Sequence, residues 1–570
     1  MTWANVTGKR LALTRATWIS LTAATAWLML AFLRMWWQPI LTDEWDFYRA
    51  MTDWQHNRAL IPHPQAYVHL AQLFMAVLGQ TPNTVRLIGM ACAVINVWLA
   101  PVLIHLFWPL HPRRNDMAVA AIWLTALNPL TIQNGMLIDI DNTLLTPWLL
   151  GMLLLWKVAQ DWTLGRRVAG LGLAFAIALW IKLTTPVLLM ASIGAFYLAQ
   201  GKLKRVIEMA LAAMLGYLMF LLTFSIYSRL TGFTFAYFGP SFSKLPRDAN
   251  SIPAALVLVP QNAGVFAMWL SLPMLALGLI VGARTCMRLI QRRMEQPDLL
   301  VIYTIITLSF YTFIPLPPAW GYPRYQAPLV PVIATLAAVI LVEAYDSLSR
   351  QVRLAVIGLG LAALAYQFLV IGDPFWSLYQ VTFETSLGDV SQRMAQGLAE
   401  LSRLAIPIAV VLVIAYGLSR RWRANQRATM LLSLGALSLA HMLDANLVQV
   451  PAQYSTRYRY TYEYSDLSRA IDDVRNTHGQ YVLALKEVLY YSGLPGEEIY
   501  AYVWPGRSPQ ALVSKLTSTR VDAMAWTTKE DNRSPEIVQN PAVVALLNRC
   551  YRRVTHGVFI VYLYEAKNCP

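Results

Sequence analysis

The chain of 570 residues is 57% hydrophobic and only 14% charged, with 20 Trp and 27 Tyr. Apolar runs of about twenty residues recur along most of it, each long enough to span roughly 30 Å of hydrocarbon, which excludes a soluble globular protein. The net charge of +15 does not indicate nucleic acid, because the basic residues form no single patch. They stand in short clusters between apolar runs, as in the cytoplasmic loops of an inner-membrane protein.

The first apolar run, about 18–37, is followed by Gln-Pro and acids rather than a cleavage site and reads as an uncleaved anchor. Lys9, Arg10 and Arg15 precede it, which places the N-terminus in the cytoplasm and the next loop outside. That loop opens with LTDEWDFYRAMTDW, residues 41–54. Thr42 suits an N-cap, and Asp43 and Glu44 suit the positive end of a helix dipole. Phe47, Met51 and Trp54 fall at i, i+4 and i+7, so one face is expected to lie on the bilayer surface while Asp43, Asp46 and Asp53 face water. The alternative is an ordinary interfacial helix with capping acids.

The outer loop runs to about Thr84 and includes His63 and His69, which lack the spacing and partners of a zinc site. A second span, about 85–107, ends at the basic HPRRND loop, and a third, about 117–135, leads outside to IDIDN with Asp139 and Asp141. The fourth returns to Arg166 and Arg167; the fifth and sixth meet outside at Lys182. The sixth ends at KLKR, and the seventh leads to an outer loop with Lys244, Arg247 and Asp248. The eighth descends to Arg284, Arg288, Arg292 and Arg293, and the ninth emerges at PLPPAWGYPRYQ with Arg324 and Tyr325. The tenth returns to Arg350 and Arg353, and the eleventh exits before an amphipathic loop at 372–403. The twelfth ends at RRWR, and the thirteenth leaves the chain outside near Ala445. Basic clusters alternate with acidic and aromatic loops throughout.

Beyond about Gln449 the spans stop and charges increase. GQYVLAL, EIYAYV, RVDAMAW and VFIVYLY read as short strands, with helix such as DLSRAIDDVRN between them. The expected architecture is therefore an all-α polytopic membrane domain of about thirteen transmembrane helices, residues 1–446, followed by a small α/β extracytoplasmic domain, residues 447–570. Cys550 and Cys569 both fall in that tail, where a helix, a turn and a strand are expected to bring them together as a disulfide in an oxidising compartment; the alternative is two unpaired thiols, one buried beside Leu547 and one at the terminus. Cys92 lies in a span and Cys286 in a basic loop.

The spans hold few ionisable groups, which argues against a transport pathway. Charges gather instead at the outer ends: Asp43, Glu44, Arg86, Asp139, Asp141, Lys182, Lys244, Arg247 and Arg324. Acids there can accept a proton from a hydroxyl, and bases can hold a phosphate. Structural alternatives exist: Asp139 and Asp141 as caps of the fourth span, and Lys182 as a lysine snorkelling at a helix end. Arg324, between Pro323 and Tyr325 in a rigid turn, is harder to explain that way.

The order of these features carries a resemblance. An Asp-Glu pair opens the first outer loop, a His-Pro segment follows, and Gly79 and Arg86-Leu87 open the second span. IDIDN, a Lys between two short spans, and PRYQAPLVP come next. This resembles the GT-C glycosyltransferases of the protein O-mannosyltransferase and lipid A aminoarabinose transferase type, over roughly residues 41–331. The family's His-Pro-Pro stands here as His63-Pro64-Gln65, and the tail does not resemble the β-trefoil of eukaryotic mannosyltransferases.

The resemblance implies inverting transfer of a sugar from a polyprenyl-phosphate donor to a cell-envelope glycan, lipid or protein acceptor. Asp43 would be the general base; Glu44 and Asp139 or Asp141 would orient hydroxyls. Lys182 and Arg324 would hold the lipid phosphate, with Arg86, Lys244, Arg247, Tyr325 and His63 as further substrate-binding candidates. A divalent cation is the one cofactor implied as possible, and membrane lipids are the other partners. The expected location is the bacterial inner membrane, N-terminus cytoplasmic and tail periplasmic. Competing readings are a lipid-linked-sugar flippase or other transporter, an oligosaccharide ligase, and a non-catalytic scaffold.

Overall fold

The computed structural model describes residues 13–36, 43–54, 57, 64–139, 143–233, 269–313, 323–367, 369, 390–446, 464–503, 508–527, 535–565 and 569. The chain divides into two compact units, Met1–Trp37 with Phe47–Pro451, and Gln38–Asp46 with Ala452–Pro570.

The first unit is helical. α1, Arg15–Met35, starts from Thr14, whose hydroxyl accepts the Thr17 amide at 3.3 Å. α2, Asp43–Thr52, contributes its part from Phe47 onward, and then comes α3, Ala66–Leu78, which ends on Gly79 at φ 96°. That positive φ suits glycine. α4, Pro82–Phe107, begins with Thr81 as N-cap and Pro82 in its first turn. Next come α5, Arg114–Ala126, α6, Pro129–Met136, and α7, Leu145–Val158. α8, Leu164–Ile181, α9, Thr184–Ala199, and α10, Leu203–Thr231, complete the first half. The second half has α11, Leu272–Ile290, α12, Asp298–Phe313, and a 3-10 turn, Pro323–Leu329. α13, Val330–Asp346, α14, Arg350–Tyr366, α15, Val390–Arg421, and α16, Gln426–Asp444, follow.

Six described helices are long and apolar enough to cross a bilayer, by length and composition: Arg15–Leu33, Pro82–Phe107, Leu164–Ile181, Leu203–Thr231, Leu272–Ile290 and Tyr325–Asp346. The last is 89% buried and forms the centre of the unit, packing on α4, α5, α11 and α16.

Helices α8 and α10 approach most closely at two glycines. A Cβ on Gly216 would stand 2.4 Å from the carbonyl oxygen of Gly172, so side chains are absent because backbones touch. At one end of this pair, buried Arg167 meets Glu208 at 2.5 Å and donates to the Ala159 carbonyl at 2.8 Å. Arg288 is likewise held by buried Asp298, and Arg284 meets Glu343 at 3.0 Å. Several arginines read from sequence as loop charges therefore also tie helices together.

Three expectations change in this unit. The apolar face of α2 is covered by protein: Phe47 and Met51 are buried, Gln72 of α3 donates to the Met51 carbonyl, and Trp54 packs near Phe233. The segment before Thr84, expected as an outer loop, contains the helix α3, of sequence AYVHLAQLFMAVL. The third span is broken in two at Leu127-Asn128, because Pro129 cannot continue a hydrogen-bonded helix but suits the first position of a new one.

The second unit has a five-stranded sheet of order β2-β1-β3-β5-β4. After α17, Tyr464–Asn476, come β1, Val482–Ala484, α18, Lys486–Ser492, and β2, Gly496–Glu498. Then come α19, Tyr500–Val503, α20, Pro509–Ser518, β3, Ala523–Thr527, α21, Pro535–Val538, and α22, Pro541–Cys550. β4, Tyr551–His556, and β5, Phe559–Tyr564, close the chain. β2, β1 and β3 pair in parallel, whereas β5 runs antiparallel to both β3 and β4. EIYAYV was expected as a strand; pairing stops at Glu498 and Tyr500–Val503 turns helical. β4 was not expected, since Tyr551-Arg-Arg-Val-Thr-His shows its alternation only once β5 is beside it. Cys550 and Cys569 are joined by a disulfide with Cα atoms 5.3 Å apart. The hairpin explains this: the two cysteines flank its open end, where the Glu565 amide donates to the Cys550 carbonyl at 2.9 Å.

Candidate active site

The site in the membrane unit is built around the broken third span. Asn128 caps α6 by accepting the Leu130 amide at 3.0 Å, and the Asn446 side chain donates to the Leu127 carbonyl exposed by the break. All eight residues of α6 are buried. Gly135 fits against α4 and α1: a Cβ there would meet the Phe32 ring at 2.6 Å and Ala93 at 3.1 Å. α6 thereby delivers Asp139, which is fully buried, three residues beyond its end.

A second group comes from the turn between α8 and α9. Ile181 ends α8, and Lys182 leaves it in an extended conformation, φ −159° and ψ 143°. Its ammonium lies 4.1 Å from the ring centroid of Tyr325, in the 3-10 turn. Tyr325 stacks on Tyr311 of α12 with centroids 5.5 Å apart and planes 4° from parallel. The Tyr311 hydroxyl is 2.8 Å from that of Thr185, at the start of α9. A lysine that is only 7% exposed is thus fixed by an aromatic pair, and that pair is anchored back to the residue three positions after it.

Of the sequence-predicted residues, the structure brings together Lys182 and Tyr325. Arg86 is buried in the first turn of α4 and donates to Asn83 at 3.3 Å. Asp43 opens α2, and Glu44 beside it is buried. Arg324 is the second residue of the 3-10 turn. Asp141, His63, Lys244 and Arg247 lie outside the described residues. His69 bonds Gln72 and Tyr227, each at 2.9 Å, so both ring nitrogens serve packing. No three His, Cys, Asp or Glu side chains come together as metal ligands among the described residues. The acids described there do not fit the implied divalent cation as a ready-made site.

Tyr311 and Thr185 were missed by sequence reasoning. The available signal was a tyrosine near the end of an otherwise apolar span and the Thr-Thr-Pro that follows Lys182.

Residues 62–228, under a third of the chain, match the family described as dolichyl-phosphate-mannose-protein mannosyltransferase. Two solved structures match the chain nearly end to end. One is ArnT from Cupriavidus metallidurans in the apo state, 15% identical, covering 97% of this chain and 99% of that one at a TM-score of 0.55. The other is the same protein bound to undecaprenyl phosphate, 13% identical, covering 98% and 100% at a TM-score of 0.57. A search of curated protein sequences finds no match.

The fold is that of the GT-C membrane glycosyltransferases. With the family match across the segment that carries Arg86, Asp139 and Lys182, the chain is a membrane-embedded glycosyltransferase.

Proposed function

We propose that this enzyme transfers a single sugar from a polyprenyl phosphate to a cell-envelope acceptor on the outer face of the inner membrane, with inversion at the anomeric carbon. The observation that carries the reading is the buried Lys182 on the Tyr325–Tyr311 stack. A cation fixed at a helix end by a ring pair is suited to meet a phosphate, and a lipid phosphate is the anion a GT-C donor supplies. The solved relative binds undecaprenyl phosphate, which makes a polyprenyl phosphate the donor class to test first.

In the mechanism, Asp43 takes the proton from the acceptor hydroxyl as that oxygen attacks the anomeric carbon. The bond to the phosphate oxygen breaks, and the electrons leave with the lipid phosphate. Lys182 and Arg324 stabilise that leaving charge, with Arg86, Lys244 and Arg247 on its periphery. Glu44, Asp139 and Asp141 orient hydroxyls. The 550–569 disulfide favours an oxidising compartment for the tail and supports the proposed orientation.

Two variants test this. Asp43→Asn is expected to lower turnover by roughly 10²–10⁴-fold with donor binding retained. Lys182→Ala is expected to raise the donor KM by roughly 10- to 100-fold, the loss of a charge-assisted contact to phosphate. Both are measured with the purified protein and undecaprenyl-phosphate sugars in lipid nanodiscs. Near-normal turnover in Asp43→Asn would move the base elsewhere.

A further inference from the structure

We infer that Gln133 and Gln326 form a wall that reads the hydroxyl pattern of the donor sugar, an assignment that rests on the transfer reading above. Gln133 is fully buried, and neither its amide nitrogen nor its amide oxygen has a partner among the described residues. Gln326 is 1% exposed, and its amide oxygen is likewise without a partner among them. Buried polar groups are ordinarily satisfied, and leaving them so desolvated opposes folding.

The two side chains come from elements that touch. α6 and the 3-10 turn pack against each other. Gly135 turns its Cα toward α1 and α4. Gln133 precedes it by two residues, about 200° around the helix, and so points away from the α1 and α4 side. Gln326 directly follows Tyr325, the ring beneath Lys182. Gln133 lies six positions before Asp139 on the helix that delivers it. Neighbouring Asn128 and Asn446 each have a defined structural bond at the helix break, which Gln133 does not share.

The chemistry selects a neutral polyhydroxylated ligand. A carboxamide donates and accepts at once, as each sugar hydroxyl does, and it carries no charge with which to hold phosphate. The phosphate belongs to Lys182, and the donor sugar is bonded directly to that phosphate. A sugar read by otherwise unsatisfied amides is strongly discriminated, because the wrong sugar leaves them unsatisfied again.

The test uses the full chain in nanodiscs and four probes: undecaprenyl phosphate alone, and the same lipid phosphate carrying mannose, glucose or arabinose. Wild type is expected to bind at least one sugar-bearing lipid more tightly than the bare lipid phosphate. Gln133→Met and Gln326→Met are each expected to lose that increment, about tenfold or more, while holding the bare lipid phosphate within about twofold. Their thermal midpoints are expected to equal or exceed that of wild type, since an apolar side chain of similar shape replaces a desolvated amide. A retained sugar increment in both variants would overturn the assignment and leave the amides as the lining of a structural water. Equal losses for bare and sugar-bearing lipids would also overturn it. A wild type that binds the bare lipid but gains nothing from any sugar would overturn the transfer reading itself, and this one with it.

Discussion

Lys182 shows how a charge is kept usable inside apolar surroundings. The Tyr325 ring face steadies its ammonium by about 0.5–2 kcal/mol. The opposite design appears in the second unit. There the hydroxyl of Tyr481, the Tyr502 hydroxyl at 2.6 Å and the Lys515 ammonium at 2.9 Å hold the Glu497 carboxyl down to about 2, from an ordinary value of 4.5. A depressed folded-state value means that this stabilisation is complete above about pH 4.5 and lost as pH falls toward about 2. Acid unfolding of this unit should therefore be shallower in Glu497→Gln than in wild type across that window, as followed by thermal melts from pH 5 to 2. An unchanged acid limb would show that the cluster contributes nothing. At this scale the sequence was only partly legible. Lys182 and Tyr325 stand out because charge and aromatic rings interrupt apolar runs, whereas Gln133 and Thr185 become informative only when burial and partners are known.

Elements are set by where backbones touch and where they break. The Gly172–Gly216 contact leaves no room for a side chain, so Gly216→Leu should overpack the α8–α10 crossing and destabilise the membrane unit by about 1–3 kcal/mol. Gly151, with nothing within 4 Å of a built Cβ, is the control: Gly151→Ala should be neutral or slightly stabilising in the same detergent melts. The β4–β5 hairpin makes a second case. Replacing both Cys550 and Cys569 by Ser should destabilise the second unit by about 3 kcal/mol on the chain-entropy account, read as an earlier denaturant midpoint of its unfolding. An unchanged midpoint would mean that strand pairing alone closes the loop. Sequence reasoning found β1, β3, β5 and α17 because each repeats its pattern over several residues. It misread EIYAYV, where apolar alternation is shared by a strand end and a one-turn helix. It also missed the break at Asn128-Pro129, although the two residues are an N-cap and a first-turn proline in sequence.

At the level of the molecule, the membrane class follows from composition alone, because no other fold buries so many twenty-residue apolar runs. Orientation rests on the alternation of basic clusters with acidic loops. Reporter fusions after Asn142 and after Gln453 should both read as periplasmic; a cytoplasmic signal at either would place the acids and Lys182 on the wrong face for the proposed donor. What composition could not reveal is that Arg167, Arg284 and Arg288 pair with acids on neighbouring helices. These residues serve packing as well as orientation, so counting them as loop charge alone understates what the fold asks of them.

The break at Asn128 has one more consequence. α6 starts from a fixed proline, runs eight residues while buried on every side, and ends three residues short of Asp139. At about 1.5 Å of rise and 100° per residue, its length is a gauge that sets both the depth and the bearing of that acid. Most junctions between spans absorb an extra residue as slack. Here one residue inserted between Pro129 and Met136 would rotate everything beyond it by more than a quarter turn, and deleting one would do the same in the other sense. Length, rather than the identity of any one side chain, is the property of this segment least open to change.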